Sequence, residues 1–557
     1  MLGASTLVVV VAAALISSGG AFADVVPELP AIPADLSTPV QARLAFNGAT
    51  GMTVGWNTFT QLSNPKVHYG FWPNALWFSA SSHSSVTYPT SRTWSNTVKL
   101  TGLLPSTTYY YKIDSTNSTV SSFKTARVRG DPTPFSAALV IDMGVFGPDG
   151  LSTRTTSYTN KSITYPLKPS EHTTIQRLAA MKDQYEFVIH PGDFAYADAW
   201  YKEFNLGYIN GSLADGAAMY QGLNEQFYDE LSAVSSIKPY MVAPGNHEAN
   251  CLNGGSGNMT EASFCPVGQT NFTQFTNRFG LTMPGSSSTS WLAKRLGLTG
   301  LNENDNAEEE MKRSFSSTGR SFADAQLAAR EAARAERRAA ATAAALPPFW
   351  YSFDYGMAHF LMIDTETDFG NGIVGPDELN GGQNDNDGPF GTYPNQQVDF
   401  IEKDLSSVDR DITPWVVVAG HRPWYVANAF PCPTCQTAFE GLLLKHNVDL
   451  GVFGHTHNQQ LIVPTKYNQS DPNGWNNPSA PAYIVNGAAG HFEGLESLYL
   501  GYPWLKLAFA NDTMYGFNKL VFKDRQHLDI QFINSDTGNV EFSQTLFKEH
   551  KTSGKLW

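Results

Sequence analysis

Apolar and polar positions divide the chain into three stretches of different period. Between Pro39 and about Ala126, short β-branched or aromatic runs are separated by turn residues. This predicts strands over Gln41 to Phe46, Thr53 to Phe59, Lys66 to Phe71, Asn96 to Leu100, Thr107 to Asp114 and Ser121 to Lys124. From Pro134, strands alternate with segments whose apolar residues recur at helical spacing: Glu171 to Gln184, Ala217 to Ile237, Asn395 to Val408 and Thr437 to Asn447. After about Pro481 strands dominate again, at Ala482 to Val485, Gly516 to Phe522 and Leu528 to Ile533, and are expected to complete a second sheet. The expected architecture is an N-terminal all-β sandwich followed by an α/β sandwich, two sheets packed face to face with helices outside.

Four units follow: residues 1–23, a β-domain over 38–127, a larger domain over 134–462, and a closing segment over 480–545 that completes it. Within the first domain, Leu103-Leu104-Pro105-Ser106-Thr107-Thr108-Tyr109 resembles the L-x-P-x-T-x-Y signature of fibronectin type III sandwiches. The stretch 296–346 breaks the pattern, being rich in Ala, Glu, Arg, Asn and Ser with almost no large apolar residues. Phe322 to Ala345 could form a solvated helix. With no apolar face to dock, the segment is expected to be a mobile surface insertion, a lid over the site being the alternative.

Composition narrows the class. At 557 residues the chain exceeds one average domain, and a net charge of −14 with pI near 5.4 argues against nucleic acid or anionic membranes as partners. Leu7 to Ile16 is a short apolar run, and Ala21-Phe22-Ala23 is a small-x-small cleavage site before Asp24, which reads as a secretory signal. Sequons at Asn117, Asn160, Asn210, Asn258, Asn271, Asn468 and Asn511 agree with secretion as a glycoprotein. Four cysteines allow three pairings; the local one, Cys251 with Cys265 and Cys432 with Cys435, suits an oxidising compartment. Cys432-Pro433-Thr434-Cys435 is expected not to open a helix, which disfavours a thioredoxin-like redox role.

The chemistry lies at five places where an apolar run ends in oxygen or imidazole donors. Ala137 to Ile141 leads into Asp142, and Phe187 to Ile189 into Gly192-Asp193-Phe194-Ala195-Tyr196. Met241 to Ala243 leads into Gly245-Asn246-His247-Glu248, Trp415 to Val418 into Gly420-His421, and Leu450 to Phe453 into Gly454-His455-Thr456-His457. Ligands of open α/β sheets bind beyond the carboxyl ends of strands, so these tips are expected to converge. Carboxylate, amide, phenol and imidazole together suit hard to borderline metals. Two such ions can clamp a phosphate, generate hydroxide near neutral pH and stabilise a leaving oxygen. Asp193 is the candidate bridging carboxylate. No Gly-x-Ser-x-Gly elbow and no Walker-type loop is present, which disfavours serine hydrolase and nucleotide-loop chemistry.

The ordered set Asp-x-Gly, Gly-Asp-x-x-Tyr, Gly-Asn-His-Glu, Val-x-x-His, Gly-His-x-His resembles the purple acid phosphatases, in their larger form with an N-terminal fibronectin-like domain. The resemblance implies that Asp142, Tyr196 and His457 bind ferric iron. It implies that Asn246, His421 and His455 bind a divalent ion (zinc, iron or manganese), with Asp193 bridging. Asn246 and His247 would contact substrate, and His247 would stabilise the phosphate or donate a proton to the leaving alcohol. The implied activity is hydrolysis of small phosphate monoesters at acidic pH. A diesterase, a phytate-directed enzyme and a lapsed binding glycoprotein are the rival readings. The chain departs from the family after His421, where Arg422-Pro423-Trp424-Tyr425 is followed by no histidine before His446. This leaves His491 and Glu493 beside His247 as candidate acids. Asn458-Gln459-Gln460 follows His457 where relatives carry Tyr-Glu-Arg. Asp364, Glu366 and Asp368 also follow a strand and are read as structural or supporting residues.

Overall fold

The computed structural model describes residues 29–144, 172–201, 212–249, 266–285, 334–376, 396–428, 431–490 and 494–550. The leader, Cys251, Cys265, Asn160, Asn210, Asn258, His491 and Glu493 lie outside them.

The N-terminal run forms two four-stranded sheets. One contains Val40–Phe46, Met52–Thr58, Ser85–Val86 and Trp94–Leu100; the other contains Lys66–Gly70, Phe78–Ser81, Thr108–Ile113 and Ser121–Lys124. Leu44, Val54, Trp56, Val98, Tyr111 and Phe123 fill the space between them. The strand pattern predicted six of these eight. Phe78–Ser81 is mostly exposed and Ser85–Val86 is two residues long, so neither carries a half-buried alternation to be read.

Two larger sheets follow. In the six-stranded sheet, Tyr240–Ala243, Phe187–Pro191 and Phe135–Leu139 run parallel, and Gly516–Phe522, His527–Asn534 and Val540–Phe547 continue it antiparallel. The seven-stranded sheet runs Tyr351–Tyr355, Ala358–Met362, Trp415–Ala419, Leu450–Phe453, Ala482–Asn486, Gln459–Ile462, Leu507–Asn511. The C-terminal strands therefore divide between both sheets instead of completing one. Their sequences are compatible with either sheet, and only the long-range register decides.

Aromatic rings lock the layers together. Phe187 of the first sheet meets Phe353 at 5.8 Å and Phe360 at 5.4 Å in the second, and Phe46 of the N-terminal domain meets Phe187 at 5.4 Å. Such pairs contribute about 0.5–1.5 kcal/mol each beyond their buried area. Helix Gly216–Ser235 packs against strand Val40–Phe46, and Tyr111 donates to Ser236 O at 2.7 Å.

Two expectations change here. Cys432 and Cys435 are disulfide-bonded, but the pair does open a helical run: Cys432 is the N-cap of Pro433–Cys435, which continues through Gln436–Glu440 and Gly441–Lys445. Proline at the first helical position was the local signal for that start. The insertion also fails to be wholly undocked. Residues 334–344 are helical; Arg334 pairs with Asp409, Arg338 pairs with Asp354, Ala341 is buried, and Trp350 Nε1 donates to Ala344 O at 3.2 Å. Small alanines serve as the apolar face. The earlier part, 296–333, lies outside the described residues. Because its sequence holds few large apolar residues, deleting Asn302 to Ala333 is expected to leave melting temperature and turnover near wild type. Extending the deletion to Ala344 should cost on the order of 2 kcal/mol, because Asp409 and Asp354 each lose an arginine partner and buried Ala341 is removed. Equal melting temperatures for the two deletions would contradict this.

One of these carboxylates, Asp354, also takes part in a pH response. His359 lies between Asp354 and Asp404, 2.7 Å from each. Burial lowers its pKa, but Asp404 and Asp354 outweigh it and raise it from 6.5 to about 9. Because the folded value lies above the unfolded one, this contribution is full below about pH 6.5 and lost as pH rises through about 9. Calorimetry is expected to show stability falling over that window by on the order of 3 kcal/mol, with His359→Gln flattening the fall. A parallel decline in the variant would remove His359 as the cause.

Candidate metal centre

All five predicted tips sit at the carboxyl ends of parallel strands, three from the first sheet and two from the second. The backbone there is unusual. Asp142, Asp193, Tyr196 and His455 have φ of 60°, 55°, 51° and 65°, left-handed values uncommon for residues with side chains. Such strain gathers at functional sites where surrounding structure holds it in place. Glycines make the approach possible. A Cβ at Gly454 would stand 2.3 Å from Asp142 Oδ2, and one at Gly245 would stand 2.3 Å from Asp193 Oδ1.

The seven side chains converge. Tyr196 Oη lies 2.6 Å from Asp142 Oδ1, 3.1 Å from Asp193 Oδ2 and 3.1 Å from His457 Nε2. On the other side, His421 Nε2 is 3.0 Å from Asp193 Oδ2 and 3.0 Å from Asn246 Oδ1. Ligand atoms of Asp193, His421 and His455 lie within 4.8 Å of one another. A single oxygen, Asp193 Oδ2, thus faces both donor groups. His421 Nδ1 contacts Pro191 O at 3.2 Å, which turns Nε2 toward the centre.

The electrostatics fit cations at this place. Asp142 and Asp193 are buried. Burial disfavours the charged form of His421, yet Asp193 and Asp142 raise it to about 9. Burial, then Asp142 and Asp193, holds the Tyr196 phenol well above its ordinary value. Burial, Arg422 and His421 instead hold His455 well below its ordinary value, and cations bound here would displace the protons of Tyr196 and His421. A phenol so held yields its proton only to a strongly polarising ion. The donor set fits two metals, one on each side of Asp193.

His247 occupies the rim, with its side chain 9 % exposed. Its N–H donates to Asp193 Oδ1 at 3.0 Å, and its ring lies 4.1 Å from that of Tyr196. Nδ1 lies 2.8 Å from buried Asp198, while Nε2 points inward, 3.9 Å from Asp193 Oδ2. Burial lowers the His247 pKa, but Asp198 and Asp193 raise it to about 9.

Sequence reasoning missed several supports. Asp198, two residues beyond Tyr196, could have been noticed as a second acid in the same motif. Glu248 accepts from the backbone N–H groups of Asp193 at 2.8 Å, Phe194 at 3.0 Å and Gly245 at 2.9 Å, clamping two ligand-bearing turns together. Thr365 Oγ1 accepts from the N–H groups of His421 at 3.1 Å and Arg422 at 2.8 Å. Arg422 also gained a place: Nε bonds Glu366 at 2.6 Å, and Nη1 lies 3.0 Å from His455 Nε2. Asp364 and Asp368 accept from the backbone N–H groups of Glu366 and Gln397, and His446 pairs with Glu402 at 3.0 Å. In the Asn458-Gln459-Gln460 run, Asn458 bonds Glu496 O and Gln460 binds both Asn458 and the Ala427 N–H. Of the described sequons, Asn117 and Asn468 are exposed and Asn271 and Asn511 are half-buried.

Carboxylates, imidazoles and a phenol gathered at the tips of two facing sheets are the donor set of a metal-dependent phosphoesterase. Comparisons with known proteins agree. The purple acid phosphatase N-terminal domain matches residues 39–125, the calcineurin-like phosphoesterase family matches 352–459, and the iron/zinc purple acid phosphatase-like C-terminal family matches 480–543. The chain is 46% identical over 528 residues to acid phosphatase A of Cryphonectria parasitica, covering 94% of each protein. It is 29% identical to an acid phosphatase of Aspergillus ficuum, covering 82% of this chain and 76% of that one. A purple acid phosphatase from yellow lupin seeds shares the fold, with a TM-score of 0.57 at 21% identity over 92% of this chain and 75% of that one. The chain belongs to the purple acid phosphatase family, phosphoesterases of the acid phosphatase class. No helix among the described residues is long and apolar enough to cross a membrane.

Proposed function

We propose that this chain is a secreted acid phosphatase that hydrolyses phosphate monoesters at a dinuclear centre. Ferric iron would be held by Asp142, Tyr196 and His457, a divalent zinc, iron or manganese ion by Asn246, His421 and His455, and Asp193 would join them. The observation that carries this reading is the placement of Asp193 Oδ2, 3.1 Å from Tyr196 Oη and 3.0 Å from His421 Nε2. When bound, the two ions supply Lewis acidity for the phosphoryl oxygens and activate water near neutral pH.

The residues of the chain do the rest. Glu248 fixes the turns that aim Asp193 and Asn246. Pro191 O and Thr365 orient His421. Asp198 holds His247 by Nδ1, so that Nε2 faces the reacting phosphate and can deliver its proton to the leaving oxygen. Protonated His247 also places positive charge at the rim, where an anionic ester must enter a protein of net charge −14. Secretion is supported by the leader pattern and by the Cys432–Cys435 disulfide.

Protein recovered from culture medium is expected to begin at Asp24 and to contain two metal ions, one of them ferric. It should be pink or purple from charge transfer between the Tyr196 phenolate and iron. Tyr196→Phe should lose that visible band while keeping metal on the Asn246 side. Elemental analysis showing one zinc and no iron in active, undepleted protein would sink the assignment.

A further inference from the structure

The segment 494–506 runs along the edge of the metal centre and is stapled to the chain just after both histidine motifs. Glu496 N–H donates to His457 O at 2.9 Å, and Asn428 Nδ2 donates to the Glu496 carboxylate at 2.7 Å. Glu496 also lies 3.8 Å from His457 Nδ1, which places this residue at the rim. Three residues on, Tyr499 N–H donates to Ala427 O at 3.0 Å, six residues beyond His421. Between these staples and the return strand Leu507–Asn511 the chain exposes Tyr499 at 50% and Leu500 at 74%. Large apolar side chains this open, three and four residues along from Glu496 at His457, invite an occupant.

The exposed ring is built, not loose. Tyr499 stands 5.7 Å from Tyr502, Tyr502 5.7 Å from Trp504, and Trp504 5.7 Å from buried Tyr425, which lies four residues past His421. The Tyr499 ring folds over Gly501, where a Cβ would meet its ring atoms at 2.3 Å. Any side chain at position 501 would displace the ring. The segment from 494 to 506 carries one acid, Glu496, and one base, the exposed Lys506 at its far end, and none beside Tyr499 and Leu500 in sequence. A leaving group carrying further phosphates would find a single lysine six residues past Leu500 as counter-charge on this segment, whereas a flat apolar group would find a ring face and an aliphatic tip.

We propose that Tyr499 and Leu500 form an apolar lip that receives the leaving group of the ester and selects aryl and nucleoside monophosphates over inositol polyphosphates. This rests on the monoesterase reading above. The phosphate sits at the metals, and the aromatic or base portion lies across the lip, where ring stacking is sequence-independent and tolerant of the exact group.

The test uses the full-length metallated protein and the double variant Tyr499→Ala/Leu500→Ser. Four substrates are compared: 1-naphthyl phosphate, adenosine 5′-monophosphate, glycerol phosphate and phytate. The variant is expected to lose about five- to tenfold in kcat/KM on the first two, mainly through KM, and to stay within about twofold on glycerol phosphate. Naphthylphosphonate should inhibit wild type more tightly than methylphosphonate, with that preference gone in the variant. An unchanged ratio between naphthyl and glycerol phosphate would overturn the lip while leaving the monoesterase intact, as would phytate proving the best wild-type substrate. Failure of wild type to hydrolyse any monoester would overturn the reading beneath it, and the phosphonate comparison would still judge the lip. Gly501→Val, which must displace the Tyr499 ring without removing it, should reproduce the same selectivity change.

Discussion

Asp193→Ala is expected to lose metal from both sides of the centre and to reduce turnover by at least about 10³-fold. Removing a residue that merely orients a metal ligand typically costs about 10–100-fold in metal affinity or activity. Asp193 stands in both donor groups and also receives the His247 backbone N–H at 3.0 Å, so its removal would take away the shared oxygen and one anchor of the His247 backbone. Asp193→Asn keeps the shape and should share most of the loss, because an amide oxygen carries no charge with which to join two cations. Metal content by elemental analysis and turnover of an aryl phosphate read the two effects separately. An Asn variant with two ions and near-normal turnover would show that Asp193 does not bridge.

His247→Ala should keep both metals and the colour yet lose roughly 10²–10⁴ in rate, the usual cost of removing a positioned acid or charge-stabiliser. The loss should be larger for alkyl esters than for activated aryl esters, since only a poor leaving group needs the proton. Asp198→Asn tests the same device from behind. The amide can still accept from Nδ1 but no longer favours the imidazolium, so kcat on alkyl esters should fall by about 10–100-fold with little change in KM. Equal losses on both substrate types in His247→Ala would make His247 a phosphate-binding residue and turn attention to His491 and Glu493. Normal turnover would remove it from the site.

The convergence of the seven residues was legible because each sits in a short motif whose meaning is local: an apolar strand, a glycine turn, then a donor. Strand ends differed from the reading by one or two residues, as at Phe135–Leu139 against an expected Ala137 to Ile141, because backbone pairing stops where the left-handed turn begins. Glu248 and Thr365 were illegible for the opposite reason. Their partners, Asp193 and His421, come from other motifs, and nothing near Thr365 in sequence shows that two amide groups will meet its hydroxyl. Strands Gln459–Ile462, Leu507–Asn511 and Val540–Phe547 were missed, while the alanine-rich helix was denied a docking face it has. In the strands, polar or half-exposed residues mask the alternation; in the helix, burial falls on Ala341, which hydropathy barely registers.

The pairing of Phe135–Leu139 with Gly516–Phe522 also bears on how the molecule comes into being. The strand that presents Asp142 emerges early from the ribosome, but one of its two neighbours is among the last segments made. Until then a strand of almost wholly buried residues has one unpaired edge, the kind that invites pairing with another chain. The first half of the enzyme must wait through synthesis with its sheet unfinished. Pairings so distant in sequence form slowly, and unfinished sheets of this size are exposed to aggregation. Docking of Gly516–Phe522 beside Phe135–Leu139 is then the event that closes this edge.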